Sequence, residues 1–358
     1  MPWLSLRRRR EPSRAALYGV PFGAVALTLG TGALLFSLLG YDGPGAIRHI
    51  FLEPIRQGSR WPDLLVKASP LVLIATGLAV GFRANVWNIG AEGQYLAGAM
   101  AGTGVALATW GAGGVWVLPA MVVAGTVGGA AWAGLPAFLR TRFGVSEILS
   151  SLMLTYVAIQ LLYFLVRGPW RDPDGFNFPQ TRMFTDAQTL PALTEGSLVH
   201  LGVPIALVVA IAAWLVLSRT VAGFQVKVVG LAPAAARHGG FSERTTIRLA
   251  MLTGGGLAGL AGILEAAGPF GQLTPQFPAG YGFTAIIVAF LGRLHPIGIV
   301  LAALLLAVTI VGGEGAQSAA GLPGAATGLF QAMLLFFLLA GDVLVRNRIV
   351  LASARAAA

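Results

Sequence analysis

Polar side chains interrupt one of the apolar stretches of this chain and could bind a small polar molecule there. Residues 81–102 read GFRANVWNIGAEGQYLAGAMAG, in which Asn88, Glu92 and Gln94 stand among apolar and small residues. Their amide and carboxylate groups can donate or accept several hydrogen bonds. In hydrocarbon an unsatisfied polar group is costly, so such side chains are expected to lie within protein or to line a watery cavity. We interpret this stretch as a break between two membrane spans, with these three side chains turned toward a solute passage.

Other charged residues leave alternatives open. Arg83 and Glu92 could simply neutralise each other at the cytoplasmic surface of the membrane. Glu265 follows the apolar run GGGLAGLAGIL and falls within a predicted helix. A buried carboxylate there has to be protonated, paired or hydrated, so Glu265 could line the passage or bond one helix to another. We retain Glu92 and Glu265, with Asn88 and Gln94, as candidate passage residues.

The composition places these groups in a membrane protein. Of 358 residues, 56% are hydrophobic and 11% are charged, whereas a soluble domain carries about 25% charged residues. Apolar segments recur along the chain, most of them long enough to span a bilayer. They are residues 15–39, 64–82, 91–108, 115–139, 148–166, 198–217, 249–267, 283–291, 297–311 and 325–345. The sequence therefore predicts an all-α polytopic bundle of about ten transmembrane segments, in which 283–291 is a half-helix unless residues 280–282 extend it.

Basic residues indicate the orientation of these segments. The N-terminal stretch MPWLSLRRRREPSR is basic, and most of the 24 Lys and Arg residues fall in connections on the same side as that stretch. By the positive-inside rule this side is cytoplasmic, and both termini lie there. We predict a single transmembrane domain over 1–358, with a cytoplasmic N-terminus (1–14), a membrane bundle (15–345) and a cytoplasmic tail (346–358). The first and last five spans run in opposite senses, as two inverted repeats with broken helices would.

Motifs for chemistry on the chain itself are missing from the sequence. Its lysines, Lys67 and Lys227, do not follow a glycine, so there is no GxxxxGK[ST] phosphate-binding loop. HExxH and GxSxG motifs are missing too. The four histidines are scattered and there is no cysteine, so we expect no bound metal and no other cofactor. The basic residues form short blocks and no basic domain, so we expect neither a nucleic-acid partner nor an enzyme activity.

A second hydrophilic segment, residues 220–245, has the form of a surface helix. It reads TVAGFQVKVVGLAPAAARHGGFSERT, in which Pro233 begins a run that ends at Gly239 and Gly240. Proline is favoured in the first turn of a helix, and glycine at its end. A short helix between two membrane spans could press into a groove on a partner protein. An ordinary positive-inside loop would explain the same residues equally well.

Four motifs occur in order along the chain: NIGAEGQ, GVSEILSSLMLTYVA, GLAPAAARHGG and GYGFTAIIVAFLGRLHPIGIV. Together they resemble the permease subunits of bacterial ABC importers in the branched sugar/nucleoside family, over about residues 62–345. In that family the loop matching residues 230–240 is the coupling helix, which docks on the ATPase subunit. The residues that the resemblance implies as ATPase contacts are Pro233, Ala235, Ala236, Arg237 and Gly239. The family commonly has asparagine before the proline, so Ala232 predicts a less well capped helix start here.

The resemblance implies a permease that is driven by other chains. It would lie in the bacterial inner (plasma) membrane and pair with a second permease, either a related chain or a copy of itself. An extracytoplasmic binding protein would deliver a small-molecule solute, and a separate ABC ATPase would drive import by alternating access. The NIGAEGQ form is more similar to nucleoside-type than to ribose-type members, so a nucleoside is the first solute class and a simple sugar the second. The alternative is a secondary transporter, driven by an ion gradient through Glu92, Glu265 or His295 without an ATPase.

Overall fold

The computed structural model describes residues 4–8, 14–193 and 197–351, and nearly all of their regular structure is helical. The helices are α1 (Arg14–Leu38), α2 (Gly43–Phe51), α3 (Glu53–Arg56), α4 (Trp61–Arg83), α5 (Ala91–Ala108), α6 (Val117–Phe143), α7 (Glu147–Arg167), α8 (Gly202–Arg219), α9 (Val221–Leu231), α10 (Pro233–His238), α11 (Glu243–Glu265), α12 (Tyr281–Leu291), α13 (Pro296–Ala320) and α14 (Ala325–Arg346). A 3-10 turn (Gly58–Arg60) precedes α4, and a π-helical turn (Ala266–Phe270) continues α11. Strands β1 (Leu4–Arg8) and β2 (Asn347–Leu351) pair antiparallel.

Eight helical segments among the described residues are long and apolar enough to cross a membrane. They are α1, α4, α6, α7, α8, α11, α13 and α14. Two other predicted segments, α5 and α12, are helices that do not meet both of these conditions. α5 has 18 residues but carries Glu92 and Gln94 in its first turns, and α12 has only 11 residues. With these two the structure agrees with the predicted all-α bundle of about ten segments.

The structure divides into two compact units, and the predicted break between spans falls in the larger one, Ser59–Ala307. In this unit α4, α5, α11 and α12 are largely enclosed, and α5 is buried continuously over its first ten residues. Helices α6, α7 and α8 carry exposed apolar side chains instead, among them Val127, Phe164 and Ile211. Such surfaces suit contact with lipid or with another membrane protein. The prediction of a single domain over the whole chain stays a prediction.

Glycines let the enclosed helices of the larger unit approach each other closely. A Cβ atom added to Gly98 of α5 would overlap the backbone of Gly259 in α11. A Cβ atom added to Gly259 would in turn meet Gly125 and Gly129 of α6. Small residues at helix crossings are the usual packing mode in membranes, because backbones can then make van der Waals contact directly. The glycine runs of α6 and α11 therefore have a structural role in helix packing.

We expect Gly259→Ala to lower the stability of the chain by about 1–3 kcal/mol, the usual cost of overpacking a close contact. The new methyl group would meet backbone atoms on α6, which cannot move aside as a flexible side chain can. Gly134→Ala in α6 is the matched control, because its Cβ would lie 3.6 Å from the nearest side-chain atom, an ordinary contact. Thermal unfolding of the purified chain in detergent measures both. Equal unfolding temperatures for the two variants would contradict the close-packing argument.

The smaller unit, Met1–Gly58 with Val308–Ala358, has a core of its own. Phe36 of α1, Ile50 of α2 and Phe330 of α14 are buried together, and the ring centroids of the two phenylalanines are 5.5 Å apart. Residues 41–63 lie between two of the predicted spans, and they form α2, α3 and the 3-10 turn. These residues contain no long apolar run because α2 buries only one face, and Asp42 caps it by accepting from the Gly45 N–H at 3.0 Å.

Other boundaries differ from the predicted ones at the polar ends of helices. α11 begins at Glu243, six residues before the predicted start, because the Ser242 side chain caps it by accepting from the Thr245 N–H. α13 continues past the predicted end to Ala320. β1 and β2 fall in the predicted terminal segments, whose residues 1–3, 9–13 and 352–358 lie outside the described part of the chain.

Candidate functional site

The predicted break between two spans is a non-helical connection from α4 to α5. α4 ends at Arg83 and α5 begins at Ala91. Asn85 adopts a left-handed conformation with φ of 57°, which asparagine tolerates better than most residues. Val86 and Asn88 are buried. The connection therefore passes partly through the protein interior, where its backbone and side-chain polar groups need partners.

Asn88 and Gln94 supply some of these partners by bonding to each other. The Asn88 Nδ2 donates to the Gln94 Oε1 at 2.8 Å, and the Gln94 Nε2 donates back to the Asn88 Oδ1 at 2.9 Å. The Gly90 N–H also donates to the Asn88 Oδ1, at 3.1 Å. This pair fixes the connection against the first turns of α5. Contact of either side chain with a solute stays a prediction.

Glu92 binds the start of the half-helix α12. Its Oε1 accepts from the Gly280 N–H at 2.9 Å, and its Oε2 accepts from the Gly282 N–H at 2.6 Å. The first backbone N–H groups of a helix have no partner within the helix, and that end carries a partial positive charge. Gly282 permits the approach, since a Cβ atom there would overlap the Glu92 backbone. Glu92 thus links α5 to α12 across 190 residues of sequence.

Arg83 does not pair with Glu92, the partner that the alternative interpretation of this stretch assigned to it. Its Nη2 donates to the backbone carbonyl of Leu294 at 2.7 Å, just beyond the end of α12. Because Glu92 is bonded to the other end of α12, the pairing of Arg83 with Glu92 is wrong. The two residues instead hold opposite ends of the same short helix.

Glu147, in the first turn of α7, also anchors the connection between α4 and α5. Its Oε1 accepts from the Trp87 N–H at 3.1 Å and forms an ion pair with Arg140 of α6. Ser151, one turn further on, accepts from the Ile89 N–H at 3.3 Å. The sequence showed this segment only as one of the four family motifs, and the bonds of Glu147 to Trp87 and Arg140 were not predicted. Its acidic side chain at a helix start, seven residues after an arginine, was the available signal.

We expect Glu147→Ala to lower the free energy of unfolding by about 1–3 kcal/mol, because it removes the carboxylate that pairs with the largely buried Arg140 and the acceptor of the Trp87 N–H. Asp174→Ala is the matched control. Its carboxylate pairs with Arg182 at 3.9 Å but is 89% exposed, and such surface pairs contribute little. Chemical or thermal unfolding of the purified chain in detergent compares the two. A Glu147 variant as stable as the control would show that the connection does not depend on this anchor.

A second polar group lies where α11 passes into its π-helical turn. Glu265, the last residue of α11, is buried and accepts from the Tyr281 hydroxyl at 3.4 Å. The Nζ of Lys67, on α4, lies 5.9 Å from the centroid of the Tyr281 ring. Tyr95 of α5 stacks on Phe277, with ring centroids 5.2 Å apart. α4, α5, α11 and α12 therefore all contribute to one polar and aromatic cluster.

The segment 233–239 forms the predicted short surface helix, α10. Pro233, Ala235, Arg237 and Gly239 are exposed, so their side chains or backbone can meet another protein. Ala236 is fully buried, which corrects its assignment as a contact residue. No side-chain hydrogen bond caps the helix start at Ala232, as its residue type suggested. ATPase contact by the exposed four residues stays a prediction.

α9 connects this surface helix to the interior of the larger unit. A Cβ atom added to Gly230 of α9 would overlap the Arg83 carbonyl oxygen, so the end of α9 rests directly on the end of α4. The Gln225 Nε2 donates to the Thr246 Oγ1 at 2.8 Å, which ties α9 to α11. A displacement of α10 would therefore press on the two helices that flank the polar cluster.

The structure brings some of the predicted site residues together and separates others. Glu92 and Glu265 both bond to the start of α12, Glu92 through the Gly280 and Gly282 N–H groups and Glu265 through the Tyr281 hydroxyl. Asn88 and Gln94 form their own pair, and α10 forms a separate surface. Tyr95 and Tyr281 were missed, although both stand within the quoted motif regions as polar-tipped aromatics in apolar helices.

Comparison with known proteins finds a matching family and several relatives that align with most of this chain. Residues 62–339 match the family described as "Branched-chain amino acid transport system / permease component". A glucose ABC transporter permease protein of Haloferax volcanii, TsgB13, is 39% identical, with 97% of this chain and 93% of that protein covered. The guanosine ABC transporter permease protein NupP of Bacillus subtilis is 31% identical, covering 89% and 92%. The nucleoside ABC transporter permease protein NupB of Lactococcus lactis is 28% identical, covering 89% and 90%.

These matches confirm the resemblance drawn from the four motifs. The family match extends over most of the chain, and the relatives align over nearly their full length. They are transport permeases, and the apolar helices fit a protein that crosses the membrane several times. The chain therefore belongs to this family of permease components and is the membrane-spanning permease subunit of an ABC importer.

Proposed function

We propose that this chain passes a nucleoside or a simple sugar inward by alternating access, and that a separate ATPase drives it through α10. The solute would meet the polar cluster between α5, α11 and α12. Closure of the ATPase pair would move α10, and the helices in contact with it would carry that movement to the cluster. ATP hydrolysis thus takes place on another chain.

The contact between Gly230 and Arg83 is the observation that carries the coupling step. It joins α9, and hence the exposed α10, to the residue that holds one end of α12. Glu92 holds the other end of the same half-helix. Packed helices transmit displacement because their interiors are dense and resist compression. An ordinary connecting loop would have no need of so close a backbone contact.

The solute class rests on the relatives and on the motifs. The names of the relatives give glucose for one and guanosine for another. Both molecules are neutral and carry several hydroxyl groups on a ring. The NIGAEGQ motif is more similar to that of nucleoside-type members and favours a nucleoside, whereas the relative with 39% identity is named for a sugar. We therefore keep both classes in the proposal and separate them by experiment.

Orientation and partners follow from the positive-inside rule and from the family. We place both termini and α10 on the cytoplasmic side of the plasma membrane. The partners are an ABC ATPase, an extracytoplasmic solute-binding protein and a second permease, and we expect the second permease to be a related chain. A pair of permease chains would present one α10 to each of two ATPase subunits.

Uptake of radiolabelled guanosine and glucose by a strain deleted for this gene, with and without the restored gene, tests the proposal. We expect uptake of one solute to return with the gene, to require the ATPase subunit of the same system and to persist with an uncoupler present. Uptake that the uncoupler abolishes, and that the lone chain supports in vesicles, would instead establish the ion-coupled alternative. If competing nucleosides and sugars leave restored uptake unaffected, the solute class is wrong.

A further inference from the structure

We propose that Tyr95, Glu265, Phe277 and Tyr281 form the subsite that binds the hydroxylated ring of the solute. The Tyr95 hydroxyl and the Glu265 carboxylate would bond to ring hydroxyl groups, and the aromatic rings would pack on the ring's apolar face. The inference rests on the proposed function, because it locates the solute of that importer. It concerns a sugar ring as such, either a free sugar or the ribose of a nucleoside.

The unpaired hydroxyl of Tyr95 is the first observation. Tyr95 is 0% exposed, and its hydroxyl has no hydrogen-bond partner among the described residues. Leaving a buried hydroxyl unpaired costs free energy that phenylalanine at the same position would avoid. If position 95 served only to pack the core, its hydroxyl would be a defect. A hydroxyl that is unpaired only until a solute arrives has a function.

Polar groups lie near Tyr95 without bonding to its hydroxyl. Glu92 accepts from the Gly280 and Gly282 N–H groups on either side of Tyr281, whose ring centroid lies 6.0 Å from that of Tyr95. Among the described residues Glu265 accepts from the Tyr281 hydroxyl at 3.4 Å, a long hydrogen bond, although a carboxylate can accept about four. The cluster thus holds both a free donor and spare acceptor capacity. A ring hydroxyl, which donates and accepts at once, would satisfy both.

Aromatic rings surround these polar groups. Tyr95 and Phe277 are nearly parallel, with an interplanar angle of 14°, and Phe270 meets Phe277 edge-on at 5.0 Å between centroids. Tyr281 lies 6.0 Å from Tyr95. Small-molecule sites typically combine aromatic walls with a few well-placed polar groups. A sugar ring suits such a site, because its hydroxyl groups lie at its edge and its C–H groups at its faces.

The positions of the four residues allow the subsite to open. Tyr281 begins the half-helix α12, Glu265 ends α11, and a π-helical turn follows it at once. π-helical turns occur frequently at functional sites. Phe277 stands in the connection between those two helices. All four are buried here, so the cluster is closed, and a shift of α12 against α5 would separate the Tyr95 ring from Tyr281.

Uptake kinetics in cells with the complete transport system test the subsite. The variants are Tyr95→Phe, which removes one hydroxyl and keeps the ring, and Glu265→Gln, which keeps the size of the side chain. Tyr156→Phe is the matched control, because Tyr156 is 57% exposed on α7. We expect Tyr95→Phe to raise KM for the transported solute, guanosine or glucose, by about tenfold, as for the loss of one strong hydrogen bond. The control should leave KM unchanged.

Monodeoxy analogues of that solute separate a binding role from a structural one. In the wild type, the analogue that lacks the contacted hydroxyl should compete about tenfold less well than the parent solute. In Tyr95→Phe or Glu265→Gln this difference should disappear for at least one analogue. A variant that lowers uptake of parent and analogues alike would overturn the subsite, as would unchanged kinetics in both variants. Wild-type cells that take up neither solute would refute the proposed function, a result visible before any variant is compared.

Discussion

Replacing Glu92 by alanine is expected to reduce uptake of the transported solute by at least about tenfold, the largest effect of a single side chain in the interior of this protein. Both carboxylate oxygens accept backbone N–H groups at the start of α12, at 2.9 and 2.6 Å. Without them the part-buried Gly280 N–H and the buried Gly282 N–H both lose their acceptor, and the buried one alone costs about 1–3 kcal/mol. α12 would lose its attachment to α5, and its position would no longer follow that helix.

Glu92→Gln tests the charge and the second acceptor oxygen of this side chain while keeping its size and shape. Its side chain has one acceptor oxygen, and its NH2 group would face one of the two backbone donors, so only one of the two hydrogen bonds can survive. We therefore expect Glu92→Gln to transport less than the wild type but more than Glu92→Ala. Kinetics of uptake in cells, corrected for the amount of each variant in the membrane, give this order.

A glutamate in the smaller unit provides the control for both variants. Glu53 pairs at 3.9 Å with Arg48, whose side chain is 62% exposed, and exposed pairs of this kind contribute little. Glu53→Ala should therefore transport as the wild type does. If Glu92→Ala also transports normally while reaching the membrane in normal amount, the attachment of α12 through this carboxylate is not part of the transport cycle.

The sequence revealed the break between α4 and α5 because its signals are local. Gly90, Gly93 and the polar residues Asn88, Glu92 and Gln94 lie within one short stretch, and no partner is needed to recognise that a membrane helix is interrupted there. The same holds for α10, where Pro233 and Gly239 mark both ends of the helix. Features of this kind depend on backbone preference and can be predicted from one chain alone.

The partners of the polar residues could not be predicted in the same way. Glu92 bonds to Gly280 and Gly282, which are far away in sequence. Which helix lies beside α5 depends on packing over the whole larger unit. Glycines on α5, α6 and α11 make the close contacts in this packing, and the sequence does not show which glycine faces which. The alternative that paired Arg83 with Glu92, the nearest opposite charge, was left open for the same reason. Charge and hydropathy show that a residue needs a partner, but not which partner it finds.

Amphipathic elements were the other omission. α2 buries Ala46 and Ile50 on one face and exposes the rest, so a search for long apolar runs passed over it. A helix that lies along a core without spanning the membrane has to be recognised by periodicity and not by mean hydropathy. The cap at Asp42 and the proline after it were readable signals.

Ala235→Trp is expected to lower uptake by at least about tenfold and to abolish co-purification with the ATPase. Effects of this size are typical of substitutions at the centre of a protein–protein interface. Ala235 is exposed on α10, so the new ring would project from the proposed docking surface without disturbing the chain's own packing. The unfolding temperature of the purified chain should stay unchanged. Ala236→Trp should instead lower that temperature, because Ala236 is fully buried.

The position of α10 can be measured on the same residue. The chain has no cysteine, so a single Ala235→Cys substitution provides a unique label site. A membrane-impermeant maleimide should modify it only after the cells are made permeable. Ala112→Cys, in the exposed connection between α5 and α6, should react on intact cells, since the proposed topology places that connection outside.

Ala112→Trp completes the comparison with Ala235→Trp. Both changes add the same ring to an exposed alanine in a connection, but on opposite faces of the membrane in the proposed topology. Only the cytoplasmic change should separate the chain from its ATPase. If both variants keep the ATPase and transport normally, α10 is an ordinary connecting segment, and the close contact of Gly230 with Arg83 transmits no work to the passage. If Ala235→Trp alone fails, α10 carries the coupling to the ATPase, and the contact of Gly230 with Arg83 links it to the residue that holds one end of the half-helix α12.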